Sequence, residues 1–212
     1  MKLNIQIKNR YTGSIIFELE TENNSIKKTI EAYIEKSKPY RADLTRANLA
    51  DADLTRANLT RANLTVANLT RADLTYANLT VANLTRANLT RADLTYANLT
   101  VANLTRADLL RFKNDFWRVL LFAKNEIPAL RQALIDGKIN GSAYEGECAC
   151  LKGTIANAMH CDYNAMPGLV ADISEPSEQW FLQIQIGMKP ETSNVVKITV
   201  SWIDEFVELL NK

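Results

Sequence analysis

With 212 residues, 47% of them hydrophobic, the chain can bury a substantial core in one large domain or two small ones. Its formal net charge of +1 removes any bulk-charge argument for nucleic acid, a membrane surface or acidic substrates. No apolar run approaches the ~18 residues that span a bilayer. The N-terminus has no basic stretch followed by an apolar one, and the three cysteines are an odd count, so a reducing, cytoplasmic setting is expected.

From the N-terminus, residues 3–7 alternate as a strand, 9–13 read as a turn and 14–20 as a return strand. A helix is expected over 25–36, with Ile26, Ile30, Tyr33 and Ile34 on one side and Pro39 ending it. Residues 1–40 thus read as a β-hairpin plus helix, an α/β cap for whatever follows.

Residues 41–110 divide into fourteen pentamers of the form x-Ala-(Asp/Asn)-Leu-Thr. Leu fills the fourth position and Ala the second in every pentamer; the fifth is Thr except at Ala50 and Leu110. A period of five suits neither standard element. On a helix it scatters the leucines around the axis, and on a continuous strand it sends alternate leucines to solvent. Within one pentamer, however, Ala and Leu are two apart and share a face of extended backbone. The chain therefore runs extended for about three residues, buries that pair, bends, and repeats, closing a tube with the polar residues outside.

These pentamers resemble the pentapeptide-repeat family, whose motif is written A(D/N)LXX. The resemblance implies a right-handed quadrilateral parallel β-helix with four pentamers per coil. Residues 71–90 and 91–110 are nearly identical, which independently supports a twenty-residue coil. Fourteen pentamers then make about 3.5 coils, each rising ~4.8 Å. The expected class is mainly β: cap 1–40, solenoid 41–110, and a helical C-terminal capping domain 111–212. The coil is more uniform than natural arrays of that family, and recent duplication or consensus engineering would each produce that.

First positions stack at a spacing of twenty, giving expected surface ladders of Tyr76 with Tyr96 and of Arg71 with Arg91. The third positions Asp53, Asp73 and Asp93 form an acidic column. Some pentapeptide-repeat proteins imitate DNA and inhibit type II topoisomerases. B-DNA carries about one negative charge per 1.7 Å, or about three per coil. This segment has eight Arg and six Asp, so the resemblance in fold is not matched in charge.

After Leu110, Phe112, Phe116, Trp117, Leu120 and Leu121 read as a helix that plugs the open end of the tube. Pro128 opens a second helix stopped by Gly137, a third is expected over 178–186, and a fourth runs about 194–210. Gly146-Glu147-Cys148-Ala149-Cys150-Leu151, Glu178-Gln179-Trp180-Phe181 and the N-terminal Lys8-Asn9-Arg10-Tyr11-Thr12-Gly13 resemble flanks of phage and prophage pentapeptide-repeat proteins. That likeness implies no activity.

The only histidine lies with all three cysteines: Cys148, Cys150, His160 and Cys161. Three Cys and one His are a known zinc inventory, but C-x-C-x9-H-C lacks paired knuckles, and adjacent His160 and Cys161 reach one ion poorly. As a nucleophile pair they lack attack geometry, with Asp162 the sole nearby orienting group. Trp117, Trp180 and Trp202 sit in apolar helical contexts and read as core. No cofactor and no catalytic residue is expected. A non-enzymatic scaffold or protein-interaction module is the expected role, with a protein partner or a second copy docking at a coil end or at the C-terminal domain. Nucleic acid and membrane are not expected partners.

Overall fold

The computed structural model describes residues 1–38, 40–142, 151–161 and 175–212. They form two units, Met1–Leu109 and Leu110–Lys212.

In the first unit, β1 (Lys2–Lys8) and β2 (Ile15–Glu22) pair antiparallel, with Leu3 opposite Thr21, Ile5 opposite Leu19 and Ile7 opposite Phe17. The connecting turn is built by Asn9. Its Oδ1 accepts the amides of Tyr11 and Thr12, while Gly13 supplies the positive φ of 71°. Helix α1 (Ile26–Ser37) starts at Ser25, whose Oγ accepts the Lys28 amide, and buries Thr29, Ile30 and Ile34. Phe17 stacks on Tyr33 at 4.8 Å, joining the hairpin to the helix.

The pentamers then wind into a solenoid whose coils repeat every twenty residues. Parallel bridges link Asp43 to Asn63, Asn63 to Asn83 and Asn83 to Asn103, and the other faces follow the same spacing. Each leucine amide from Leu44 to Leu84 bonds a carbonyl one coil on, as Leu44 does to Asn63 at 2.8 Å, and Asn63 returns its own amide to Ala42. Every leucine from Leu44 to Leu109 is buried, as is every second-position alanine from Ala42 to Ala102. At about 1.5–3 kcal/mol per buried leucine, this single file supplies most of the driving force for winding.

The bend follows one rule. The Ala47 amide bonds the Leu44 carbonyl, and Arg46, third of the four turn residues, takes φ 61°. All thirteen first-position residues from Arg46 to Arg106 lie in this left-handed region, although residues 41–110 contain no glycine. Such backbone costs roughly 1–2 kcal/mol per L-residue. Two bonds hold it. From Arg46 to Arg86 the first-position amide reaches the next coil (Arg46 to the Thr65 carbonyl, 2.9 Å), and the third-position Oδ1 accepts the fifth-position amide, from Thr45 on Asp43 through Thr105 on Asn103. That local bond is the reason for Asn or Asp in the third position. It requires a short side-chain acceptor, and either residue serves.

The bridging segments are single residues, so β1 and β2 are the only strands of any length among the described residues, against six α-helices. The expectation of a mainly β chain is corrected to a mixed one: a five-residue side leaves room for one bridging residue between bends.

Helices α2 (Leu110–Phe122), α3 (Ile127–Asp136), α4 (Leu151–Met159), α5 (Pro176–Phe181) and α6 (Asn194–Leu210) make up the second unit. Its core is aromatic. Trp180 lies 5.6 Å from Phe112 and 4.9 Å from Trp202, and Phe116 lies 5.4 Å from Phe181. The Trp180 indole donates to Thr199 Oγ1 at 2.7 Å, and Trp117 donates to the Trp202 carbonyl at 3.0 Å. Ser193 Oγ accepts the Val196 amide at the start of α6, and Gly137 ends α3 with φ 72°.

Two elements differ from expectation. The sequence gives no clear start signal for α4, and α5 stops at Phe181 rather than near Ile186. The chain leaves α5 to bond residues 137–141 through its backbone: Gly187 donates to Gly137 and Gly141 donates to Ile184. Gly141 sits so close that a Cβ there would lie 1.7 Å from the Phe181 carbonyl oxygen.

Candidate interaction surface

First-position residues occupy the four corners of the solenoid, so the twenty-residue register sorts them into columns: Arg46, Val66, Arg86, Arg106; then Asp51, Arg71, Arg91; then Arg56, Tyr76, Tyr96; then Arg61, Val81, Val101. Third- and fifth-position side chains fill the flat faces between corners.

At the second corner, Arg71 and Asp51 form a bidentate pair, Nε to Oδ1 at 2.6 Å and Nη2 to Oδ2 at 2.7 Å. The Arg71 hydrogen bonds hold the Asp51 carboxyl below the usual aspartate range. Both side chains are exposed, so the pair contributes little stability. Arg91 stands one coil on, with no hydrogen bond or ion pair of its guanidinium among the described residues. The Asp53, Asp73 and Asp93 column is bridged through its backbones, and each Oδ1 is engaged by the threonine amide two residues on. The Thr55 hydroxyl and amide hold the Asp53 carboxyl below its ordinary range.

The third corner is aromatic. Tyr76 and Tyr96 stack with centroids 4.9 Å apart and planes 10° from parallel, and the Arg56 guanidinium lies over Tyr76 at 5.6 Å. The next face carries Asn78, Thr80, Asn98 and Thr100 and ends at Val81 and Val101. In the two upper coils this face has no charged residue, while Tyr76 is 52%, Tyr96 39% and Val101 56% exposed. Every other face there carries Arg or Asp at a corner or on the flat. The sequence contains these columns, but their exposure required the left-handed corner, which turns first-position side chains outward.

Cys148 and Cys150 lie outside the described residues. His160 closes α4 with φ 53° and is exposed, and Cys161 beside it is half-buried. Among the described residues no three His, Cys, Asp or Glu side chains gather as a metal site. Trp180 and Trp202 are buried in the second unit, and Trp117 is half-buried against α6. That unit also buries a polar row: Lys152, Ser177, Glu178, Gln179 and Gln183, with Lys152 Nζ 3.7 Å from Glu178. Nothing in the sequence pattern distinguishes these residues from a solvated helix face.

A family model described as "Pentapeptide repeats (8 copies)" matches residues 40–75 and 82–111. This is a pentapeptide-repeat protein. Among solved structures, it is similar to HetL of the cyanobacterium Nostoc, a pentapeptide-repeat protein involved in heterocyst differentiation regulation. The identity is 41%, over 32% of this chain and 34% of that one, with a TM-score of 0.19. It is also similar to a pentapeptide-repeat protein of the Arabidopsis thaliana thylakoid lumen (31% identity, 35% and 62% covered, TM-score 0.22). A second Nostoc pentapeptide-repeat protein matches at 34% identity, with 39% and 74% covered and a TM-score of 0.20. This pentapeptide-repeat protein spans about a third of the length of HetL and under two thirds of the Arabidopsis protein. No curated protein matches the chain significantly. None of its described helices is long and apolar enough to cross a membrane.

Proposed function

We propose that this pentapeptide-repeat protein is a non-enzymatic structural scaffold and protein-interaction module, and that its coil presents the uncharged Tyr/Val face to a protein partner. The observation that carries this is the doubled strip Tyr76-Asn78-Thr80-Val81 and Tyr96-Asn98-Thr100-Val101, free of charge between charged faces and exposed except at the half-buried Thr80 and Val81. Rigid aromatic and branched side chains on a fixed backbone lose little entropy on docking. The occupant is an extended, uncharged segment of another protein. The coil is a right-handed β-helix in this reading.

Residues 1–40 act as its N-terminal cap. Lys8 and Glu31 accept the amides of Asn48 and Asn58, and Lys27 donates to the Thr55 carbonyl, which covers polar groups of the first coil. Residues 111–212 act as the helical C-terminal cap, and a homodimer through a coil end or that domain belongs to the same reading, as does a cytoplasmic location. DNA mimicry is disfavoured: the one acidic column carries a single carboxylate per coil, where about three are needed.

The test is quantitative affinity capture from bacterial lysate with three full-length baits: the unaltered chain, Y76A/Y96A and R86A/R91A. A partner enriched by the unaltered chain and R86A/R91A, and lost with Y76A/Y96A, supports the reading. Capture of nothing, or equal capture by all three, contradicts it.

A further inference from the structure

Between α1 and the first coil lies a cleft of about 480 Å³, within the size range of small-molecule sites. We propose that this cleft binds a small phosphate-bearing ligand, gripped by the guanidinium groups of Arg41 and Arg61. The proposal is independent of the Tyr/Val face.

Twenty residues before Arg71 stands Asp51, and the two form a bidentate pair. Twenty residues before Arg61 stands Arg41, so the corresponding position holds a second cation. The Asn63 amide bonds the Ala42 carbonyl, so Arg41 and Arg61 lie on adjacent coils, where like charges repel. Neither guanidinium has a hydrogen bond or ion pair among the described residues. The neighbouring acids are engaged elsewhere. Glu35 pairs with Lys38 at 2.6 Å, Glu31 accepts the Asn58 amide, and Asp43 accepts from Thr45 and from Asn63 Nδ2. Lys38, paired with Glu35, also lines the cleft, so its lining holds one compensated cation, the two uncompensated cations Arg41 and Arg61, and no carboxylate.

The other lining groups also favour an anion. Asn58 accepts the Thr60 amide with its Oδ1, leaving its Nδ2 to donate. One coil on, the Thr80 hydroxyl is spent on Asn78 Oδ1 at 2.6 Å, whereas the Thr60 hydroxyl makes no such bond among the described residues. Tyr40, 83% exposed, offers a ring at the edge, and Ile34 and Ala42 give an apolar floor. Guanidinium forks match the oxygen pairs of phosphate, which makes phosphate a better occupant than a single carboxylate. Arg61 keeps its left-handed backbone when changed to another L-residue, so its replacement tests the side chain and not the bend.

The experiment is isothermal titration of the full chain with inorganic pyrophosphate at low salt. Its companions are R41A/R61A, R41K/R61K and the remote control R86A/R91A, each first checked for an unchanged circular dichroism spectrum. Saturable binding at one site is expected, weakened about tenfold or more in R41A/R61A, since both charge-assisted hydrogen-bonding groups are then lost. R41K/R61K is expected to bind between these limits, and R86A/R91A as tightly as the unaltered chain. Repeating the titration with AMP and with ribose 5-phosphate shows whether Tyr40 also reads a base: tighter AMP names a nucleotide, and equal affinity names the phosphate alone. No saturable binding, equal weakening in R86A/R91A, or displacement of pyrophosphate by a Glu-rich peptide at equal concentration would overturn the assignment.

Discussion

Leu54, Leu74 and Leu94 stand at the same place in successive coils, each fully buried, each followed by a threonine whose amide is held by the residue before the leucine. Among the described residues of the helical unit no core residue has such a counterpart. Trp180 alone spans Phe112, Trp202 and Thr199, and Gly141 alone admits the Phe181 carbonyl. The coil builds its core by repeating one small solution. The helical unit builds its own from contacts that join distant residues, such as Lys113 with Glu205, 92 positions apart. A repeated solution makes each position replaceable by rule; a unique one makes each position particular.

The comparison breaks most sharply at a coil leucine. Leu74→Arg buries an unpaired charge and is expected to cost about 5 kcal/mol or more, whereas Thr75→Arg, on the outer side, should cost about 1 kcal/mol or less. Urea denaturation followed by far-ultraviolet circular dichroism measures both. In the helical unit, Gly141→Ala should cost about 3 kcal/mol, because the obstructing atom is backbone and cannot swing away. All three tryptophans lie in that unit, so indole fluorescence reads the loss directly.

Smaller effects sharpen the rule of the corner. Asn83→Ala removes the acceptor of both the Thr85 amide and hydroxyl, at about 1 kcal/mol, while Asn83→Asp should be near neutral, since Asp fills the same role at 53, 73 and 93. Shifts in the urea midpoint distinguish the two. Val101→Asn should stabilise by about 0.5 kcal/mol, because a branched side chain sits at φ 57° where Asn is tolerated, and little burial is lost. A rise in melting temperature is the expected reading.

The coil was legible in residue order because its period of five admits only an extended step followed by a bend. The stacking of Tyr76 on Tyr96 follows from the twenty-residue echo alone. The left-handed corners were not legible: Arg, Val and Tyr are poor signals for positive φ, and the local third-position bonds, joined by inter-coil bonds from Arg46 to Arg86, hold the bend. The Asn/Asp position reads as simple surface polarity until its bond to the next amide but one is seen. The cleft over Arg41 and Arg61 has no signal in the residue order, because it depends on where α1 lies against the first coil, which no local pattern encodes. In the helical unit, α6 showed its amphipathic stripe plainly, but α4 and the early end of α5 are set by packing across the chain.

The account stands on the twenty-residue register, and deletion tests it most directly. Removing 71–90 joins Thr70 to Arg91 and preserves every column, so the shortened chain should keep a cooperative melt and the circular dichroism of a coil reduced by one turn. Removing 71–88 leaves two residues too many for the corner to close, and that chain should melt far earlier or not fold. Equal tolerance of both deletions, or collapse of the chain lacking 71–90, would contradict the register as the basis of this fold.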